Sequence, residues 1–337
     1  MLPVFFGLSG LRLRRDETAF FTEARPAGFI LFARNVESPG QLRALTDALR
    51  ALMGEERLAI LIDQEGGRVA RLRPPHWRPH PPARAYGQLY GADEAAGLEA
   101  ARLGARVIAA ELMAAGLSVN CLPVLDVPQR GADPVIGERA YGGAPDMVAA
   151  LGRAAARGLL AGGIVPVMKH IPGHGRAHAD SHQTLPVVDT PSDVLQRVDF
   201  APFRALAEMP MAMTAHVLYR ALDPEHCATM STTIIRDVIR EQIGFAGLLV
   251  SDDIAMGALS GPLPARAAGA LAAGCDIVLH CTGDMTQMRG IAEKLPAIAA
   301  PARVRLSAAM ARPTYEDDEE PIADMAARRD ALLASVT

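Results

Sequence analysis

The stretch Gly163-Ile164-Val165-Pro166-Val167-Met168-Lys169-His170-Ile171-Pro172-Gly173-His174-Gly175 joins an apolar run to a glycine-rich segment. A short, fully apolar run of this kind is typical of a strand that is buried on both faces. Lys169 and His170 stand where the run meets the loop. Such side chains are poor core residues and good ligand-binding residues. The stretch therefore predicts a buried strand that ends at a binding site.

Four of the nine histidines recur at every fourth position here: His170, His174, His178 and His182. On a helix this spacing would align them on one face and would suggest a metal site. Pro172, Gly173 and Gly175 oppose a helix, because an interior Pro costs about 3 kcal/mol and each Gly about 1 kcal/mol. The segment is therefore predicted to be a loop, in which the spacing has no meaning, and we expect no metal.

Composition places the chain among ordinary globular proteins. It has 337 residues, of which 50% are hydrophobic and 21% charged, with a net charge of only -4, so neither nucleic acid nor a membrane surface is an expected partner. The four cysteines show no CxxC pairing and are expected to be buried free thiols. We find no secretory signal and no apolar run of the roughly 18 residues that a membrane span needs. The expected location is cytoplasmic.

Apolar runs alternate with helical patterns along the whole chain. Helix signals include Ser38 and Pro39 at one start, Gly54 at the corresponding end, and Ala-rich or periodic segments at 93–115, 200–208 and 231–244. An acidic run, Tyr315–Glu320, is expected to form a solvated turn before a final helix. The eight strand-like runs are 4–8, 28–32, 58–62, 117–125, 163–168, 211–217, 247–250 and 276–280.

None of these runs shows the period-two alternation of a half-exposed sheet, so the strands are predicted to be parallel and buried on both faces. The economical fold is an α/β architecture, a (β/α)8 TIM barrel. We expect residues 1–337 to form one catalytic domain with long βα loops and a C-terminal helical tail. A doubly wound sheet is disfavoured, because no GxGxxG follows the first strand.

Polar residues follow several of the predicted strands, where barrel active sites lie. Another polar cluster, from Asp63 to Arg71, surrounds a Gly-Gly pair and could wrap a ligand or form a solvated turn. Arg139, in a further cluster, could hold substrate or pair with Glu138. The residues at strand ends are Asp63, Asp126, Lys169, His170, His216 and Asp252.

A carboxylate at a strand end and a histidine in a loop suggest nucleophilic catalysis with general acid help. Because side chains alternate along a strand, only one of Asp252 and Asp253 is expected to face the barrel mouth, and periodicity leaves open which. Asp180 and His182 are close enough in sequence for the carboxylate to orient the imidazole, although a plain Asx-turn is an alternative. No GxSxG elbow or early His-x-His supports a serine or metal-dependent hydrolase.

Four motifs carry a resemblance to one enzyme family: Asp63-Gln64-Glu65-Gly66-Gly67-Arg68-Val69, Lys169 to Gly175 with Asp180-Ser181-His182, Met213-Thr214-Ala215-His216, and Ser251-Asp252-Asp253-Ile254-Ala255-Met256. With these motifs in the family's order, the chain resembles glycoside hydrolase family 3. Within that family it most resembles the single-domain bacterial β-N-acetylglucosaminidases that act in peptidoglycan recycling.

The resemblance implies specific roles. It makes Asp252 the nucleophile, His182 the general acid/base and Asp180 the residue that orients His182, and it implies no cofactor. The loop from Gly173 to His182 is then expected to close over substrate. Ile171 and Arg176 depart from the common family pattern, but neither position carries a proton. The sugar-binding residues that the resemblance implies are Asp63, Arg71, Arg139, Lys169 and His170.

The expected function is that of an exo-acting retaining β-N-acetylglucosaminidase that acts on a small sugar substrate. The protein is expected to be a monomer. It would remove terminal GlcNAc from muropeptide-derived GlcNAc-anhydroMurNAc and its peptides. Three alternatives compete: a β-glucosidase of the family, for which the chain is expected to end too early, a phosphorylase with the same residues, and a non-catalytic sugar sensor. A phosphorylase is plausible chemically because a neutral imidazole does not repel phosphate.

Overall fold

The eight apolar runs form the eight strands of one closed barrel. The structure is a computed structural model that describes residues 1–311 and 320–335. All neighbouring barrel strands are parallel, and going round the barrel they follow chain order. The strands are β1 (Leu2–Gly7), β2 (Pro26–Leu31), β3 (Ala59–Ile62), β4 (Val119–Asn120), β5 (Val165–Ile171), β7 (Met211–Thr214), β9 (Leu248–Asp253) and β10 (Ile277–His280), while β6 (Val187–Val188) and β8 (Leu218–Tyr219) pair separately outside the barrel. The predicted (β/α)8 TIM barrel is confirmed.

Helices connect the strands and surround them. Between β8 and β9 a π-helical segment, Ile234–Gln242, occupies the place of a barrel helix. The α-helices are α1 (Arg15–Ala24), α2 (Pro39–Met53), α3 (Ala83–Ala92), α4 (Glu94–Ala114), α5 (Pro145–Ala161), α6 (Ser192–Val198), α7 (Ala201–Ala205), α8 (Leu263–Ala273), α9 (Met285–Lys294), α10 (Ala300–Ala311) and α11 (Ile322–Ala334). Among the described helices, none combines the length and apolarity needed to cross a bilayer.

Local signals explain where the clearest helices begin and end. The Ser38 side chain accepts a hydrogen bond from the Gln41 N–H, and Gly54 ends α2 with a φ of 66°. The Asp93 side chain accepts from the Ala96 N–H at the start of α4. The helix predicted at 200–208 is shorter, since only Ala201–Ala205 is helical. The acidic run from Tyr315 lies outside the described residues up to position 319.

The predicted strand at 117–125 is interrupted. Only Val119–Asn120 forms regular strand, because Pro123 has no N–H for the ladder. Pairing beside β5 resumes afterwards, where the Leu125 N–H donates to the Lys169 carbonyl at 2.7 Å. Asp126 is thereby brought next to the end of β5.

The barrel interior is apolar at one end and polar at the other. Phe5, Leu61, Val167 and Val250 pack in one buried cluster that also includes Ile298, Ala302, Leu306 and Ala309, from α10 and the segment before it. Cys121, Cys227 and Cys275 are buried free thiols, as expected, whereas Cys281 is partly exposed. Polar side chains gather at the carboxyl ends of the strands, where the candidate site lies.

Candidate active site

A cavity of about 250 Å³ opens at the carboxyl ends of the barrel strands. Its volume is just below the roughly 300–1,000 Å³ typical of ligand pockets, which favours a small ligand. Seven of the eight predicted site residues line it: Asp63, Arg71, Arg139, Lys169, His170, His182 and Asp252. The eighth, Asp180, contacts His182.

A cluster of five alternating charges lies on one side of the cavity. Lys169 Nζ lies 3.0 Å from Asp63 Oδ1 and 2.6 Å from Glu65 Oε1. Arg71 Nη2 donates to Asp63 Oδ2 at 2.9 Å, and Arg139 donates to both oxygens of Glu65 at 2.8 and 2.9 Å. The cluster therefore presents fixed charged donors and acceptors, which suit the hydroxyl groups of a sugar.

The opposite charges in this cluster stabilise the ionised forms of one another. Burial would lower the pKa of Lys169, but the carboxylates of Asp63 and Glu65 raise it well above its usual value. Burial would likewise raise the pKa of Asp63, but Lys169 and Arg71 hold it well below its usual range. Both groups stay ionised at neutral pH.

Two details of this cluster differ from the sequence analysis. Arg139 does not pair with Glu138, since its carboxylate partner is Glu65, 74 residues away, and Glu138 instead accepts from the Arg68 N–H at 3.0 Å. Glu65 was not identified as a site residue. Its position two residues after Asp63, directly beyond β3, was a signal that both carboxylates could share one face.

His170 is held in the cavity wall by a buried aspartate. Its Nδ1 lies 2.7 Å from Asp126 Oδ2, and the His170 and His174 N–H groups both donate to Asp126 Oδ1. Although burial raises it, the facing His170 and these hydrogen bonds lower the pKa of Asp126 to about 2. Asp126 remains a carboxylate, which can accept a hydrogen bond from the Nδ1–H of His170.

Asp252 and Asp253 both line the cavity, and the carboxylate of Asp253 caps the turn after β9, one of the two arrangements expected for whichever aspartate does not face the barrel mouth. The strand alternation is interrupted there, because Ile277 pairs with Val250 but Leu279 pairs with Asp253, leaving an extra residue in β9. The two carboxylates still differ in their contacts. Asp253 Oδ1 accepts from the N–H groups of Ala255 and Cys281 at 3.0 and 3.2 Å.

The carboxylate of Asp252 accepts fewer hydrogen bonds than that of Asp253. Within residues 1–311 and 320–335, the Asp252 carboxylate accepts one hydrogen bond, from the Asp253 N–H to Oδ1 at 2.8 Å. Burial would raise the pKa of Asp252, but the imidazoles of His216 and His170 and the Asp253 N–H lower it below its ordinary value. Asp252 is therefore ionised at neutral pH, as a nucleophile needs to be.

His182 enters the cavity from the segment after β5. Its Nδ1 lies 2.7 Å from Asp180 Oδ1, and its own N–H donates to the same oxygen at 2.9 Å. Its side chain is 63% exposed, so it can exchange protons with water and with a bound ligand. Burial would raise the pKa of Asp180, but both contacts with His182 lower it.

The predicted loop is confirmed, and its histidines do not form one face. His174 Nε2 lies 3.0 Å from Ser181 Oγ, and His178 Nδ1 lies 2.8 Å from the Gly131 carbonyl. Burial lowers the pKa of His174 to about 4, so it stays neutral. Across residues 1–311 and 320–335, no group of three or more His, Cys, Asp or Glu side chains is arranged to hold a metal ion.

One protein-family model matches nearly the whole chain. The family model described as the N-terminal domain of glycosyl hydrolase family 3 matches residues 4–312. The chain belongs to glycoside hydrolase family 3. It is therefore a glycoside hydrolase, and this expectation from the four sequence motifs is confirmed.

Relatives within family 3 cover most of the chain. A β-hexosaminidase from Alkalilimnicola ehrlichii is 43% identical over 83% of this chain and 80% of its own length. Another, from Aromatoleum aromaticum, is 38% identical over 94% of this chain and 89% of its own. The structure of NagZ from Neisseria gonorrhoeae in complex with N-trifluoroacetyl-D-glucosamine matches with a TM-score of 0.88 and 32% identity, covering 99% of this chain and 98% of that one.

Proposed function

We propose that this family 3 member is an exo-acting, retaining β-N-acetylglucosaminidase. The observation that carries the proposal is that Asp252 and the Asp180-paired His182 line one small cavity. The related enzymes named β-hexosaminidase support the reaction class. The substituted glucosamine in the Neisseria gonorrhoeae structure supports a 2-acylamino sugar as the ligand.

In the first step of the proposed mechanism, the Asp252 carboxylate attacks the anomeric carbon. The bond from that carbon to the leaving oxygen breaks while His182 gives that oxygen a proton. Asp180 keeps the other ring proton on Nδ1, so the proton that is transferred comes from Nε2. The product of this step is a glycosyl ester of Asp252 with inverted configuration.

In the second step, the now neutral His182 takes a proton from water. The water oxygen attacks the anomeric carbon, and the Asp252 carboxylate leaves. The second inversion restores the β configuration, so the net result is retention. Closure of the segment from Gly173 to His182 over the sugar would exclude bulk water from both steps.

The charged cluster supplies the sugar-binding part of the proposal. Asp63, Arg71, Arg139 and Lys169 offer carboxylate acceptors and cationic donors, and His170 also lines the cavity. Binding here would hold the sugar ring in position above Asp252. The ion pairs fix these groups before substrate arrives, so little ordering cost remains at binding.

We place the reaction in cell-wall recycling. The proposed substrate is GlcNAc-anhydroMurNAc, with or without peptide, and the enzyme would act as a cytoplasmic monomer formed by one catalytic domain. The cavity of about 250 Å³ suits one terminal sugar unit, which supports removal of that unit from the non-reducing end.

Trapping of the glycosyl enzyme tests the proposal. A 5-fluoro N-acetylglucosaminyl fluoride should add one sugar to the protein, and peptide mass spectrometry should locate it on Asp252. Asp252→Ala should remove the adduct and slow turnover at least about 10³-fold. Asp253→Asn is the matched control, because it should keep the adduct. An adduct on another residue would overturn the nucleophile assignment.

Product analysis separates the competing reactions of the same site. Faster cleavage of aryl glucosides than of aryl N-acetylglucosaminides would favour a β-glucosidase. Formation of N-acetylglucosamine 1-phosphate in phosphate buffer would favour a phosphorylase. Binding of N-acetylglucosamine without cleavage of any of these compounds would favour a sugar sensor.

A further inference from the structure

The turn that follows β9 directly contacts the segment that carries His182. The Gly257 N–H donates to the His182 carbonyl at 3.1 Å, and the Ala258 N–H donates to the Ser181 carbonyl at 3.1 Å. Two consecutive peptide groups of the nucleophile's own turn thus bind two consecutive peptide groups of the acid/base segment. The contact joins the two halves of the proposed catalytic pair.

The contact leaves no room for a side chain at position 257. A Cβ built on it would lie 2.6 Å from the Gln183 carbonyl oxygen and 2.9 Å from that of His182. Real Cβ atoms essentially never approach so closely, so any side chain would displace one of the two segments. Both atoms that block it belong to backbone, which cannot rotate away as a flexible side chain can.

The turn is firmly attached to the nucleophile. Asp253 holds it twice, because its Oδ1 accepts from the Ala255 N–H at 3.0 Å and its carbonyl accepts from the Met256 N–H at 3.0 Å. The Asp253 N–H in turn donates to Asp252 Oδ1 at 2.8 Å. Short hydrogen-bonded steps therefore connect the Asp252 carboxylate to Gly257.

The segment that contacts Gly257, around His182, is itself held in a hydrogen-bonded turn. The N–H groups of Gln183 and Thr184 both donate to the Asp180 carbonyl, at 3.0 and 3.1 Å, and form a tight turn around His182. A shift of the Gln183 carbonyl would therefore carry His182 and Asp180 with it. His174, through Ser181, holds the same turn from the cavity wall.

We infer that Gly257 is a positioning residue that sets the separation between the nucleophile Asp252 and the acid/base His182. This inference rests on the roles proposed for those two residues. A side chain at position 257 moves His182 away from the leaving oxygen while it leaves the sugar-binding cluster in place.

The test compares two substrates in one protein sample. In Gly257→Ala, kcat/KM for an N-acetylglucosaminide with a poor leaving group should fall about tenfold or more, whereas the value for an activated aryl leaving group should change by less than about threefold. A good leaving group needs little protonation, so misplacement of the acid affects it less. The ratio of the two values does not depend on the fraction of active protein.

Controls separate this inference from its premise. Gly40→Ala, in α2, has open space around its Cβ and should leave the ratio unchanged. His182→Ala should change the ratio in the same direction as Gly257→Ala and further. If His182→Ala shifts the ratio but Gly257→Ala does not, the positioning role is wrong and the acid/base role stands. If neither variant shifts it, the acid/base role itself fails.

Thermal unfolding of each variant checks the fold. Gly257 lies on the surface, so Ala should be tolerated by the rest of the barrel. Gly257→Ser serves as a second variant, because its Cβ meets the same two carbonyl groups. A normal substrate ratio in a folded Gly257→Ser would also overturn the inference.

Discussion

Two histidine–aspartate pairs with the same contact have opposite surroundings. His170 Nδ1 lies 2.7 Å from Asp126, and His182 Nδ1 lies 2.7 Å from Asp180. The side chains of the first pair are 8% and 0% exposed, whereas those of the second are 63% and 25% exposed. The buried pair is tied into the barrel wall, and the exposed pair can meet water. The same motif is thus suited to a scaffold role in one place and to proton transfer in the other.

The backbone contacts of the two aspartates deepen this difference. Asp126 accepts the N–H groups of both His170 and His174, and so joins the end of β5 to the following loop. Asp180 accepts the N–H of His182, within a single turn. Loss of Asp126 leaves three buried donors without an acceptor, while the donors around Asp180 can turn to water.

The largest expected effect comes from the exposed pair and concerns rate. In His182→Ala, kcat/KM for a poor leaving group should fall about 10²- to 10⁴-fold, because general acid catalysis is lost. The free energy of unfolding should change by less than about 0.5 kcal/mol, since the side chain is largely in solvent. Steady-state kinetics and urea unfolding measure the two quantities. Equal slowing of good and poor leaving groups would contradict the acid role.

The buried pair should show its effect in stability. Asp126→Ala should lower the free energy of unfolding by about 3 kcal/mol, because three buried N–H donors lose their charged acceptor. Urea denaturation measures the change. Asp180→Ala is the matched control and should cost less than about 1 kcal/mol. Similar losses in the two variants would show that burial does not distinguish the pairs.

Acid unfolding provides a third comparison. The folded pKa of Asp126 is about 2, below its unfolded value of about 4, so the stability it contributes is present above pH 4 and is lost as pH falls through 2. The difference in unfolding free energy between wild type and Asp126→Asn should therefore shrink by about 2 kcal/mol from pH 5 to pH 2. A constant difference across that range would mean that Asp126 is not held ionised by its partners.

The smallest expected effect is that of the aspartate in the exposed pair. Asp180→Asn keeps an acceptor oxygen near His182 but removes the carboxylate charge that faces the imidazole during the proposed proton transfer, so kcat/KM for a poor leaving group should fall about tenfold. Unfolding in urea should be nearly unchanged. An undiminished rate would show that Asp180 only caps its turn, the alternative that its sequence spacing also allowed.

Sequence patterns predicted the barrel well and the contacts of its site less completely. The eight runs and the helix signals at Ser38, Gly54 and Asp93 depend on neighbours in the chain, so they can be recognised locally. The partner of Arg139 lies 74 residues away, and nothing near Arg139 marks Glu65 rather than Glu138. The orientation of Asp253 depends on the irregular pairing of β9 with β10, which periodicity does not reveal.

By itself, the sequence determined a parallel (β/α)8 barrel, its membership of family 3 and the strand ends at which polar groups collect. These follow from apolar runs, turn residues and short motifs, whose physical causes are local. Only the tertiary structure decided which histidine–aspartate pair is buried, which charges meet around Lys169, and how closely Gly257 approaches His182. These depend on distances and solvent exposure between segments that are remote in sequence, and burial is what turns one repeated side-chain contact into two different chemical environments.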